Sequence, residues 1–409
     1  MSCIKYCCVI RLLMMSFSKA HHLSAMNSME SGEDLGDRIS RLALKLYDKL
    51  QAGCKPAIRS NGVQEWTVLA CIVAIDRTNG QIQLISMATG VKATPDRELS
   101  RSQGRMLHDC HAEILAIRGF NTVLLQEVWQ LKNSDQEPDT AIVCRSEGGL
   151  RVKETLDFAL YVSRAPCGDA SMDLLEDDDS AVWNDTDLSQ YADPRVKTVL
   201  RGRSNYKKKG FVRTKPGRVD SNVTFSKSCT DKLCCRQSMS LLNALNWDLL
   251  EKPVFLKYIV VPQVSSTLRD GFERAFNTRL KHLDDYQPLE LLSCSKLFPG
   301  DKKDENQEPA LMGLIHLSVN SKLPPLQQCI VNGVKIGSFV RAPKPLRKKC
   351  ETLISRAHQW SLFKIIRGLD DSTSYYDFKS RQAERNALKL KVRLALSKDG
   401  WVITGQDNC

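Results

Sequence analysis

Apolar side chains at Ile39, Leu42, Ala43, Leu46, Tyr47 and Leu50 recur at i, i+3, i+4, i+7, i+8 and i+11, the spacing that lines one face of a helix. The period then shortens to that of extended chain. "EWTVLACIVAI" and "QIQLISMATG" flank "DRTNG", whose Asn79-Gly80 pair suits the positive backbone angles of a tight hairpin. Further on, the pattern predicts a helix over about 111–131, a strand at "LDFALYVS", a helix after Cys229 and a strand at "VFLKYIVVP". A hairpin followed by strands and helices in alternation implies an α/β fold, a mixed sheet with helices on both faces. Repeats and linkers between separate cores are not visible, so residues 36–409 are expected to form one large domain behind a disordered extension, 1–35.

Composition narrows the class. The 409 residues are 42% hydrophobic and 26% charged, enough for a substantial core. Fifteen scattered cysteines favour thiols in a reducing compartment over a disulfide framework. The apolar patch at 7–15 is interrupted by Arg11 and falls short of the ~20 residues of a membrane span, so no membrane association is expected. The expected location is cytoplasmic or nuclear, with a mitochondrial presequence as the alternative, although an Arg-rich amphipathic pattern is missing.

The net charge of +12 becomes informative once it is located. Segment 195–236 holds thirteen Lys/Arg against Asp220 and Asp231, or +11, which leaves the remainder near neutral and suggests a single basic patch. Such a patch suits a polyanion, because each neutralised phosphate releases counterions. Lys207, Lys208, Lys209, Arg213, Lys215 and Arg218 are its candidate RNA contacts, and Tyr206 and Phe211 are candidates for stacking on bases. A solvated loop is the competing explanation of a basic run. The stretch 169–187, with eight acids and no base, is expected to be a solvated insertion that repels nucleic acid.

Candidate chemistry centres on "LHDCHAEILAIRGF". A hydrolytic zinc site needs three protein ligands and an open position, where water loses a proton near neutral pH. His111 offers an imidazole, and Cys167 and Cys229 are candidate thiolates, each in a turn ahead of an expected helix, "SRAPCGDASM" and "SKSCTDKL". Glu113, about 200° round a helix from His111, suits a proton carrier better than a fourth ligand. H-x-E followed by P-C is the signature of zinc nucleobase deaminases. The usual second cysteine of P-C-x-x-C is replaced by Ala170, so the third ligand comes from elsewhere.

"DCHAEI", "PCGDAS" and "SCTDKL", in this order, resemble the adenosine-to-inosine editing deaminases, in which the distant cysteine of the last motif is the third ligand. The resemblance runs from Trp66 to Trp401. It implies a cytidine-deaminase-like fold elaborated into one large editase domain, zinc on His111, Cys167 and Cys229, Glu113 as the catalytic proton shuttle, and Cys110 packed in the core. "VRTKPGRVDS" resembles the loop of the tRNA-specific branch, which deaminates position 37, beside the anticodon, in an alanine tRNA of eukaryotes. The implied partner is therefore tRNA, through its anticodon stem-loop. About 60 residues precede Trp66, too few for the double-stranded-RNA-binding domains of other editases.

The resemblance also implies a buried inositol hexakisphosphate, held by Arg118, Lys232, Arg236, Tyr375, Lys379, Lys389 and Trp401. A polyanion inside a protein requires cations where a core normally excludes them. The sequence departs from its relatives at Ile117 and Cys235, where arginines are common, with Arg236 one place late, and at Val91, where relatives carry a hydroxyl near the substrate ribose. Arg381, Arg385, Lys389 and Arg393 also form an i, i+4 stripe that would suit a solvated helix equally well. Two functional alternatives stay open: deamination of other structured RNA, and an inactive, zinc-stabilised RNA-binding paralogue.

Overall fold

The computed structural model describes residues 34–409 except 135–137, 139, 176–190, 192, 194, 216–220, 285, 319–324 and 406. Arg218, most of the acidic stretch and nearly all of the expected extension lie outside the described residues. The first amphipathic pattern forms α1 (Leu35–Asp48), capped by the Asp34 carboxylate, and buries Ile39, Ala43 and Tyr47.

Eight strands make the main sheet: β1 (Leu69–Asp76), β2 (Ile82–Thr89), β3 (Leu156–Val162), β4 (Tyr258–Pro262), β5 (Glu290–Cys294), β6 (Met312–Leu317), β7 (Leu326–Val331) and β8 (Val334–Lys335). They lie in the order β5-β4-β3-β1-β2-β6-β7-β8. β3, β4 and β5 run parallel to one another and the other pairings are antiparallel, so the sheet is mixed as expected. Gly80, at φ +68°, makes the β1–β2 turn. Two strands are shorter than the sequence suggests. Glu65 and Trp66 pair with Glu308 and Pro309 in a separate ladder, and Val254 exchanges hydrogen bonds with Ser240 and Leu241 outside the sheet.

Alternation along β1 assigns the two faces. Ala70, Ile72 and Ala74 pack with α2 (Ala112–Asn133), whereas Leu69, Cys71, Val73 and Ile75 pack with α1. α2 is buried nearly all round because α4 (Arg356–Arg367) packs on it from outside. Its close seat on the sheet depends on Gly119, where a Cβ would come within 2.8 Å of Ser86 and Leu317 side-chain atoms. α3 (Cys229–Met239) packs on α6 (Ala383–Leu396), and α5 (Tyr375–Ser380) precedes it.

Among the described residues, Cys54 and Cys329 are paired as a disulfide and ten cysteines are free, so there is no disulfide framework among them. One expectation is corrected here. The start of the acidic stretch, Asp169–Leu175, is a packed 3-10 helix rather than a solvated insertion. Asp169, fully buried, pairs with Arg274 at 3.3 Å and Arg279 at 3.7 Å, and Asp173 pairs with Lys209 and Arg274. Among the described residues, no helix is long and apolar enough to cross a membrane.

Candidate metal centre and its buried cations

His111 ends a short strand, Asp109–His111, that pairs with Val91–Ala93, and it is also the N-cap of α2, with extended backbone and no side-chain capping bond. Its imidazole is therefore free for other partners. Cys167 follows β3 in the loop that leads to the Asp169–Leu175 turn. Cys229 is the first residue of α3, whose N-cap Ser228 accepts from Asp231 N. The two loops meet at Gly168, at φ +111°, where any side chain would overlap Ser228 Oγ. One potential ligand atom from each of His111, Cys167 and Cys229 lies within 4.8 Å of the others. Cys167 Sγ is 3.8 Å from His111 Nδ1 and accepts from Cys229 N at 3.4 Å.

The two sulfurs differ. A hydrogen bond from Cys229 holds the Cys167 thiol well below the ordinary range, with Lys215 and His111 adding to the effect. Burial and the adjacent sulfur push Cys229 up. An imidazole and two sulfurs at this separation are a donor set for a tetrahedral divalent ion that leaves one position open. Glu113 is 3% exposed, and its Oε2 has no hydrogen-bond partner among the described residues. Burial raises its pKa, while His111 and Cys167 lie close enough to act on it. The 200° separation does not apply, because His111 stands before the helix rather than in it.

Lys215 supports the centre from inside. Its Nζ donates to Cys229 Sγ at 3.1 Å and to both Asp109 oxygens at 2.7 and 2.8 Å, and Lys232 pairs with the same carboxylate. Burial would raise the Asp109 carboxyl, but Lys215 and Lys232 outweigh it and hold the group well below its usual range. With only 3% of its surface exposed, Lys215 is a buried support and not the RNA contact expected from sequence. Arg213 is corrected likewise. It is 1% exposed and donates to the carbonyls of Gly202, Ser204, Asn205 and Lys208, so it shapes the basic loop from beneath. Lys207 and Lys208 are exposed on that loop, Lys209 is tied to Asp173 at 2.9 Å, and Tyr206 packs against Met172 and Leu175.

Beyond Lys232 lies a second constellation, made almost entirely of cations. Burial first, and then Lys379, Arg393 and Arg385, pull Lys389 down to about 6. Lys379 falls to about 8 and Lys227 to about 7 for the same two reasons, burial and cationic neighbours. Burial also lowers Arg118 and Arg236 to about 10, with Arg356 acting on the first and Arg385 on the second. Trp401 lies between Lys227 at 5.6 Å and Arg393 at 5.3 Å, and Tyr375 between Arg356 at 5.2 Å and Lys379 at 5.8 Å. Among the described residues, no carboxylate pairs with Lys379, Arg385, Lys389 or Arg393, and Arg385 leaves Nε and Nη1 without partners. Arg236, one place late in sequence, donates to the Leu241 and Leu242 carbonyls yet stays within the field of Arg118 and Arg385.

Sequence reasoning gave no role to Asp109, Lys227 or Arg356. Asp109 stands inside the "DCHAEI" motif, and an acid two residues before a ligand histidine was the available signal. For Lys227 and Arg356 no local signal exists.

Comparison with known proteins follows the same lines. A model of the adenosine-deaminase (editase) domain matches residues 86–399. The chain is similar to tRNA-specific adenosine deaminase 1 of Saccharomyces cerevisiae, at 46% identity over 93% of this chain and 96% of the relative. It is similar to the protein of that name from Schizosaccharomyces pombe, at 32% over 92% and 97%. Double-stranded RNA-specific editase B2 of Mus musculus is 28% identical over 58% of this chain and 31% of its own length.

Proposed function

Because the chain belongs to the adenosine-deaminase (editase) family, we propose that it is a zinc-dependent hydrolase that converts adenosine to inosine in tRNA, at position 37 of an alanine tRNA. The observation that carries this function is the convergence of His111, Cys167 and Cys229 beside a buried, unpartnered carboxylate, Glu113. A purely structural metal site has no use for that carboxylate, which weighs against an inactive paralogue. The two tRNA-specific relatives match over nearly their whole length, whereas the double-stranded-RNA editase has most of its length elsewhere, which favours tRNA over other structured RNA.

The donors fit zinc, and His111 Nδ1, Cys167 Sγ and Cys229 Sγ would hold it. When bound, zinc makes water acidic enough to serve as the nucleophile near neutral pH. Glu113 takes the proton from the attacking water and delivers it to the purine, so that the amine at C6 leaves as ammonia. Burial suits Glu113 to the task, because a raised pKa lets the carboxyl both accept and return a proton. Lys215 holds positive charge against Cys229 Sγ and fixes its direction through Asp109. Lys207 and Lys208, with Arg213 shaping their loop, offer charge to the RNA backbone.

The clustered cations, half-buried apart from the buried Lys227 and Arg385, fit inositol hexakisphosphate, which Arg118, Lys232, Arg236, Tyr375, Lys379, Lys389 and Trp401 would hold, joined by Lys227, Arg356, Arg385 and Arg393. Their support is the mutual depression of the cations' pKa values and the orphaned Arg385 donors.

Purified protein incubated with alanine tRNA should form inosine at position 37 and carry one zinc per chain. Cys229→Ala should lose both metal and activity. Inosine absent from every tRNA tested would overturn the function, and a Cys229→Ala protein with full zinc and full rate would overturn the ligand set.

A further inference from the structure

A near-neutral remainder, left once the main basic segment is subtracted, conceals a second concentration of charge. Residues 334–350 contain Lys335, Arg341, Lys344, Arg347, Lys348 and Lys349 and no acid. All six are exposed, and among the described residues none forms an ion pair. Their segment is nonetheless firmly placed. Val334, Leu346 and Cys350 form a small core with Met106. The Arg101 guanidinium donates to the Val340 and Lys344 carbonyls at 2.5 and 3.0 Å and lies 5.3 Å from the Phe339 ring centre. Cys350 Sγ donates to Ser338 O at 2.8 Å.

We infer that this segment is a second phosphate-binding surface, which grips the backbone of the same RNA whose adenosine enters the metal centre. The inference rests on the tRNA function proposed above. Six like charges on one pinned segment repel one another, and a polyanion is the partner that relieves all of them together. A depression lined by Phe339, Arg341, Lys344, Arg347 and Lys349 runs along the segment. Phe339 also lines a neighbouring recess with Val91, Lys92 and Cys110, on the two short strands that carry His111. The two recesses meet at Phe339, and the second reaches Cys110, one residue before His111, so the RNA passes over the basic segment on its way to the metal centre. Phe339 and Ile336, 41% and 46% exposed, give the sugar edges an apolar surface between the charges.

The test is a fourfold variant, Arg341→Gln, Lys344→Gln, Arg347→Gln and Lys349→Gln, assayed as zinc-containing full chain against full-length alanine tRNA. Affinity should fall at least about tenfold, and the slope of log affinity against log salt should flatten by roughly 0.7–0.9 for every phosphate that is no longer neutralised. KM should rise while kcat at saturating tRNA stays that of the parent. Single Arg341→Gln and Lys349→Gln proteins, each expected to flatten the slope by about one phosphate's share, keep the test decisive if the fourfold variant folds poorly. Unchanged affinity and slope overturn the inference, as does retained tRNA binding combined with lost binding to an acidic protein. A parent protein that binds and deaminates no tRNA overturns the underlying function instead.

Discussion

Glu113→Gln should lower inosine formation by at least about 10²–10⁴-fold, the usual worth of a positioned proton carrier, and leave zinc content and thermal stability at parent values. Glutamine keeps the length and most of the hydrogen-bonding capacity of glutamate but cannot cycle a proton. The site makes the experiment clean, because among the described residues Glu113 forms no ion pair and its Oε2 has no partner to strand. Its burial, at 3% exposure, excludes bulk water as a substitute carrier. Quantifying inosine in tRNA by nuclease digestion, beside metal analysis of the same sample, checks both halves. A variant editing at near the parent rate would leave Glu113 with no catalytic role. Loss of zinc along with activity would make the residue a structural support.

Where the determinants are local, the sequence was legible. The Asn79-Gly80 hairpin, the face of α1 and the alternation of β1 all follow from neighbours a few residues apart, and they position both sides of the sheet. The three candidate ligands were legible for another reason, since H-x-E, P-C and S-C-T-D-K together resemble one family's motifs, although only the last carries its own cap, Ser228. What failed depends on where a charge ends up. Lys215 and Arg213 sit in the most basic segment of the chain, yet one neutralises Asp109, more than a hundred residues earlier, and the other is sealed by four carbonyls. Charge counting cannot see burial. The same arithmetic hid 334–350, because acids elsewhere cancelled it. Glu113 was set apart from His111 by treating both as helical, whereas the helix begins at Ala112. The stripe at Arg381, Arg385, Lys389 and Arg393 had two equally good explanations. Arg381 is exposed and precedes α6, whereas the other three lie on α6 near Lys379 and Trp401 rather than wholly in solvent.

Protein made in cells unable to supply inositol hexakisphosphate should be insoluble or unfolded rather than slow. Unpaired buried cations cost several kcal/mol each, and a whole domain is stable by only about 5–15 kcal/mol. Arg118, Lys227, Arg236, Lys379 and Lys389 come from three separated parts of the chain, and each has its pKa drawn down by burial and by other cations. Asp109 answers Lys232, and Asp407 answers Arg356 at 3.3 Å, which leaves most of the cluster without an acid. Lys227 and Arg385 are buried and the other cations half-buried, so crowding them together is costly without several negative charges delivered at once. Denaturing native protein should therefore release the polyphosphate at one per chain. Lys389→Met, which removes one cation of the cluster and keeps the apolar stem, should weaken retention of the ligand in normal protein. A chain that folds stably and edits tRNA with no releasable polyphosphate would overturn the assignment, and the cluster would then have to be stable as a set of partly deprotonated lysines.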